Sequence, residues 1–373
     1  MFLKHSSFRK ISESQSKQMD SIRGTAALAV VIGHANQIFL VPTESWSAPY
    51  FGLLAQAAVM VFFVLSGFLI GKSISRNIER NGMRFELIEY GFDRLFRIYP
   101  ALLFSIVLMC LIWFLAPIVF PNGTTEFLHA VPSYARSGVH LDWNEIQGAL
   151  IFLNGFRTVT PDMNGPLWSL SIEVWYYILA AVIIALARKP IVLAIALVLL
   201  WLVTRHNENF IIYLPVWIAG YALSIFHNLD RLKIGWQFLA AALCFFMGAL
   251  LFAIFSVRPD IAPNGHEWIK YFNVTIGFAF ACILAAILNG AVQVPAFMAS
   301  SAQYSYTLYL VHVPIFLFIF GTTEQYIVGN LGLATGVATA SIVMVMVFSR
   351  LASTITENKR IYQGLIRRKV ITT

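Results

Sequence analysis

The sequence predicts an all-α, polytopic membrane helix bundle of about ten transmembrane helices with both termini in the cytoplasm. Three observations predict it. Of the 373 residues, 58% are hydrophobic and only 12% are charged, about half the charged share of a soluble domain. The apolar residues gather into runs close to the length that crosses a bilayer. Of the 26 Lys and Arg residues, 21 fall between alternate runs, on one side of the inferred membrane, and the positive-inside rule makes that side cytoplasmic.

The elements follow in order. Residues 1–20 are polar, with Lys4, Arg9, Lys10 and Lys17, and the apolar stretch at 21–41 lacks a small-residue cleavage pattern, so it reads as a retained signal anchor. Further runs lie at 53–71, 98–119, 166–187, 190–204, 210–227, 235–257, 269–290, 304–321 and 331–350. The run at 190–204 is a marginal span, and a shorter one at 146–153 reads as interfacial or re-entrant. Outward loops are short except 120–165, which makes that region the main candidate for covering or selecting an extracytoplasmic substrate. The 291–303 connection holds no Lys or Arg and is assigned inside by its neighbours. The chain reads as one domain, 1–373, with cytoplasmic tails at 1–20 and 352–373.

Several function classes drop out. Cys110, Cys244 and Cys282 are odd in number, lie in apolar stretches and have no metal-ligand spacing, so neither a disulfide framework nor a metal site is expected. The net charge of +8 sits in short runs between apolar segments, which suits an anionic membrane surface and not nucleic acid. The stretch Gly67 to Ser73 is one residue short of a phosphate loop and ends an apolar run instead of following a strand. Gly67 with Gly71, and Gly332 with Gly336, instead have the small-xxx-small spacing that lets helices approach closely.

Ionisable residues within spans are costly and mark functional sites by default. His34, Glu173 and His312 stand out. Arg23 and His34 are eleven residues apart, so they share one helix face with a rise of ~16 Å, comparable to a pantetheine arm. An acyl-CoA held by its phosphates at Arg23 would present its thioester near His34. Arg23 also reads as a positive-inside anchor, and His34 as a packed, hydrogen-bonded core residue. Glu173 reaches a depth similar to that of His34. A carboxylate beside an imidazole fixes its tautomer and stabilises the imidazolium, as general-base catalysis requires; the alternative is a structural carboxylate bonded to a neighbouring Trp, Tyr or Ser. Arg94 and Arg97 share a helix face at the cytoplasmic boundary, where paired guanidinium groups suit phosphates or simply set topology. Asp20 reads as a helix cap, and His312 as a satisfied core histidine near Pro314.

Five segments in this order resemble acyltransferase family 3. They are Arg23-x10-His34 within MDSIRGTAALAVVIGHA, FFVLSGFLI at 62–70, Arg94-x-x-Arg97 followed by IYP, PLWSLSIEVWYY at 166–177, and SYTLYLVHVP at 305–314. The resemblance implies about ten membrane helices and transfer of an acyl group, commonly acetyl, from a cytoplasmic donor to a hydroxyl of a cell-surface glycan or related acceptor. It implies that His34 is the catalytic histidine, that Arg23, Arg94 and Arg97 engage the donor or organise its entry, and that Glu173 belongs to the functional core. Many members carry an added extracytoplasmic esterase-like domain; none is expected here, which leaves the final transfer to the membrane domain or a partner.

The expectation is therefore an O-acyltransferase of a bacterial cytoplasmic membrane. Acyl-CoA, expected to be acetyl-CoA, is its co-substrate, a glycan or lipid-linked saccharide its acceptor, and no cofactor is permanently bound. His34 acts as general base with Glu173 orienting it; an acyl-histidine is the less favoured variant. The rival is a transporter or flippase of a lipid-linked glycan with His34 and Glu173 as a proton relay, for which the matching broken helices are not seen.

Overall fold

The first helix begins where two side chains close its end. Ser12 Oγ accepts from the Gln15 amide at 3.2 Å, and Gln15 Oε1 accepts from the Ser12 amide at 2.9 Å. This reciprocal capping box satisfies two donors that a helix N-terminus leaves open. In the computed structural model, which describes residues 8–131, 136–233, 236–258, 260–262 and 264–358, α1 accordingly spans Glu13–Ala35. Asp20 is thus mid-helix and not a cap; its carboxylate pairs with Arg23 one turn on. Residues 1–7 of the expected N-terminal tail and 359–373 of the C-terminal tail lie outside the described residues.

The remaining helices are α2 (Ala48–Arg80), α3 (Leu87–Val119), α4 (Trp143–Leu150), α5 (Leu167–Leu186), α6 (Pro190–Thr204), α7 (Glu208–Asn228), α8 (Trp236–Val257), α9 (Gly265–Asn289), α10 (Ser305–Ile327) and α11 (Leu331–Thr356). Eight are long and apolar enough to cross a membrane. The chain is a multi-pass membrane protein. The other two expected spans are α1, where Asp20, Arg23 and His34 lower the hydropathy, and α6, which has only 15 residues. Helices α2 and α3 outrun their apolar runs because basic residues continue them: Lys72, Arg76 and Arg80 in α2, Arg94 and Arg97 in α3.

The chain folds into two interleaved compact units. Unit 1 comprises Met1–Ala26, Gln56–Gly91 and Ser169–Ser300; unit 2 comprises Ala27–Ala55, Phe92–Trp168 and Ser301–Thr373. In unit 1, α2 and α7 cross at glycines. A Cβ on Gly67 would stand 2.1 Å from the Trp217 carbonyl oxygen, and one on Gly220 would stand 2.0 Å from that of Val64. The sequence-predicted packing role of Gly67 and Gly71 thus holds; at Gly336 an added Cβ would meet nothing within 4 Å among the described residues. The 291–303 connection is tied to the start of α1, since Gln18 Oε1 accepts from the Val294 amide at 2.8 Å and Ser21 Oγ donates to the Pro295 carbonyl at 2.7 Å. Those bonds place the uncharged connection beside the basic N-terminal segment, on the side its neighbours assign to it.

Unit 2 contains the region between α3 and α5. It folds as a two-stranded antiparallel hairpin, β1 (Glu126–Val131) with β2 (Arg136–Gly138), followed by α4. Glu324, fully buried near the end of α10, accepts from the backbone amides of Leu128 at 2.8 Å and His129 at 2.7 Å. A charged acceptor on two backbone donors is the strong kind of hydrogen bond. It moors the hairpin to α10.

Candidate functional site

Proline makes the first part of the site. Pro314 interrupts the hydrogen bonding of α10, because its nitrogen has no hydrogen to donate to the Leu310 carbonyl one turn back. Two side chains fill the gap: Ser105 Oγ donates to that carbonyl at 2.6 Å and Asn164 Nδ2 at 2.8 Å. The loop ahead of α5 is thereby clamped to α10 beside His312, and Tyr309 Oη adds a bond to the Pro166 carbonyl at 3.3 Å.

His34 comes from α1. Gly33 lets that helix press against α2, since a Cβ there would stand 2.8 Å from the Ala55 methyl and 2.9 Å from the Phe51 carbonyl oxygen. Just past His34 the chain widens into one π-helical turn, Asn36–Leu40, whose Phe39 packs edge-on against Phe316 of α10 at 5.5 Å. Such π turns are frequent at functional sites.

These elements bring His34 Nδ1 within 2.6 Å of His312 Nε2, with the two rings near parallel. The other nitrogen of His312, Nδ1, is 2.9 Å from the Leu308 carbonyl. A carbonyl can only accept, so His312 Nδ1 carries a proton. In the neutral ring its Nε2 is then an acceptor, which requires the proton on His34 Nδ1 and leaves the lone pair on His34 Nε2. The hydrogen-bond network thus assigns one tautomer to each ring. The result is an oriented base, in the order backbone carbonyl, His312, His34.

Glu173 lies in unit 1 with a network of its own. Its carboxylate accepts a hydrogen bond from Tyr177, Ser66 Oγ donates to Tyr177 Oη at 3.3 Å, and Trp217 Nε1 donates to Ser66 at 3.3 Å. The ring of His34 is thus oriented by His312, and the carboxylate of Glu173 is held by Tyr177.

Unit 1 also holds a cavity of about 530 Å³ between the N-terminal segment and α2. Arg9, Lys10, Arg23, Lys72 and Arg76 line it against Glu13, Asp20 and Glu79. Lys72, a buried residue, lies on its wall with Nζ bonded to the Arg9 carbonyl at 2.8 Å and Asn228 Oδ1 at 2.5 Å, and 2.6 Å from His227 Nδ1. Five cations against three carboxylates suit a polyanionic ligand. Of the three expected donor-binding arginines, this cavity takes in Arg23. Arg94 and Arg97 belong to unit 2, one helical turn apart on α3, the first half-buried and the second exposed. Among the described residues, no three His, Cys, Asp or Glu side chains cluster closely enough to hold a metal.

Sequence reasoning took His312 for a core residue and passed over Lys72, Arg136 and Glu324. Pro314, two residues after His312, marks a carbonyl that must find side-chain donors, but it does not distinguish a positioning histidine from a core one.

The acyltransferase family 3 pattern, described as an acyltransferase domain, matches residues 16–350. An uncharacterized protein of Haemophilus influenzae is 29% identical over 208 residues, covering 46% of this chain and 75% of that protein. Nodulation protein 10 of Rhizobium leguminosarum bv. viciae is 23% identical over 201 residues, covering 52% of this chain and 53% of that protein. The match thus spans about half the length of the nodulation protein. No solved structure matches.

Proposed function

The chain belongs to acyltransferase family 3, and from that premise we propose that it transfers an acyl group, acetyl in the simplest case, from cytoplasmic acyl-CoA to a hydroxyl of an extracytoplasmic glycan or lipid-linked saccharide at a bacterial cytoplasmic membrane. Membership makes the chain an enzyme and sets aside the transporter reading.

The observation that carries the proposal is the relay from the Leu308 carbonyl through His312 to His34. His34 Nε2 takes the proton of the acceptor hydroxyl as its oxygen attacks the thioester carbonyl, and the resulting imidazolium keeps its Nδ1 hydrogen bond to His312. Collapse expels the CoA thiolate, which takes the proton from Nε2. The helix that carries His34 also carries Arg23, ~16 Å away at 1.5 Å per residue, and Arg23 lines the basic cavity. We assign the donor's phosphates to that cavity, with Arg94 and Arg97 organising entry, and propose Glu173, held by Tyr177, as a second polar element of the reaction path.

The test is mass spectrometry of cell-surface glycans from wild-type and His34→Ala strains. The variant is expected to insert and fold but to lose one acyl increment. Unchanged acylation would sink the assignment.

A further inference from the structure

The hairpin of unit 2 delivers one cation toward the histidine pair. Arg136 pairs with Val131 at the start of β2 and is only 5% exposed. Its Nη2 lies so near Gly165 that a Cβ there would stand 3.1 Å from it. Gly165 sits between Asn164, bonded to the Leu310 carbonyl, and Pro166, bonded to Tyr309 Oη. Both α10 partners are within three residues of His312. The guanidinium is therefore held against a three-residue segment that Asn164 and Pro166 tie to the helix carrying His312.

A carboxylate feels the guanidinium's charge. Glu145 of α4 interacts with Arg136, while burial and the neighbouring Asp162 and Asp142 push its carboxyl up. In acyl transfer new negative charge arises on the thioester carbonyl oxygen, which a guanidinium meets with charge-assisted hydrogen bonds. Preorganised donors aimed at such an oxygen are commonly the largest single contribution to catalysis.

We propose that Arg136 is a catalytic residue, donating hydrogen bonds to the thioester carbonyl oxygen as the acceptor hydroxyl attacks. The acceptor O–H bond breaks, its proton passing to His34 Nε2. The new C–O bond forms, and the carbonyl π pair moves onto the oxygen facing Arg136. When that pair returns, the C–S bond breaks and the thiolate leaves with the proton. The inference rests on the acyl-CoA reading above.

The experiment uses the full chain in liposomes, with acetyl-CoA as donor and a cell-envelope saccharide extract as acceptor, and follows release of the CoA thiol. Arg136→Gln is expected to lower kcat by about 10²–10³-fold with little change in KM for acetyl-CoA, and Arg136→Lys to recover about tenfold. Gly165→Ala, which pushes a methyl against Nη2 without removing the charge, is expected to lower kcat with an unchanged unfolding midpoint. Wild-type kcat in Arg136→Gln overturns the inference, as does a loss confined to KM for acetyl-CoA, which would make Arg136 a donor-binding residue. Wild-type protein that releases no CoA thiol overturns the donor reading itself.

Discussion

His34 Nδ1 and His312 Nε2 stand 2.6 Å apart, although 278 residues separate them in the chain. Because His312 Nδ1 faces a carbonyl, this one contact decides which nitrogen of His34 is basic. His312 touches no reacting atom in this scheme; it is a positioning residue. His312→Ala should lower kcat by about 10²–10⁴-fold, the range of general-base contributions, with KM for acetyl-CoA little changed. His312→Gln, whose amide oxygen still accepts from His34 Nδ1, should recover part of the loss. CoA release by purified protein checks both, and a His312→Ala enzyme with wild-type kcat would remove the relay from the mechanism.

The extent to which this site was legible follows from the range of each interaction. The spans were readable because apolar runs and basic flanks are local properties of a membrane helix. His34 and Glu173 stood out as candidates because a polar side chain inside such a run is an anomaly by itself. The kind of partner Glu173 takes was also readable, since Tyr177 is one of the neighbouring Trp, Tyr and Ser residues the sequence offers it; the partner of His34 was not, because His312 reaches it by helix packing and nothing in SYTLYLVHVPI separates a core histidine from a positioning one. Ser12 and Gln15 show the opposite case. Their capping-box spacing was in plain view, yet the apolar run starting at 21 drew attention to Asp20. Glu324 was missed because α10 outlasts its apolar run at 304–321, ending at Ile327.

Arg23 lines the basic cavity and carries the Asp20 carboxylate as its neighbour. If the donor's phosphates take that place, Arg23→Ala should weaken acetyl-CoA binding by roughly 1.5–3 kcal/mol, the worth of hydrogen bonds to charged groups. Titration calorimetry at two salt concentrations would show it, with wild-type binding weakening as salt rises. Affinity equal to wild type at both salts would move the donor elsewhere.

Tyr177 is the donor that holds Glu173. Tyr177→Phe leaves the ring and removes the hydroxyl, so the carboxylate loses its hydrogen bond at little packing cost. Activity should fall by about 10–10²-fold, the size of one hydrogen bond to a charged group, and Ser66→Ala, which removes the hydroxyl bonded to Tyr177 Oη and Trp217 Nε1, should do less. If both variants turn over as wild type does, the Glu173 network is structural.

Gly67 tests the packing of unit 1. A methyl there meets the Trp217 carbonyl oxygen at 2.1 Å, and backbone cannot rotate away as a side chain does. Gly67→Ala should therefore force α2 and α7 apart and destabilise by about 1–3 kcal/mol, as overpacked cores do. Gly336→Ala, with open space around it, should be neutral. A detergent thermal-unfolding series that ranks the two variants equally would contradict the crossing.

Glu324 joins the hairpin to α10 through two backbone donors. Truncation to Ala leaves the Leu128 and His129 amides without their acceptor, and each such group costs about 1–3 kcal/mol when it stays buried. Leu128 and His129 are exposed residues, so water replaces part of the lost bonding and the expected loss is about 2–4 kcal/mol. Glu324→Gln keeps one acceptor oxygen and should lose less. Because the strand pairing of Arg136 depends on the hairpin staying moored, Glu324→Ala should also lower kcat in the CoA-release assay, and proteolysis at 126–138 should quicken in parallel. Rapid cleavage with unchanged kcat would separate the hairpin from the chemistry; slow cleavage would show that other contacts hold it in place.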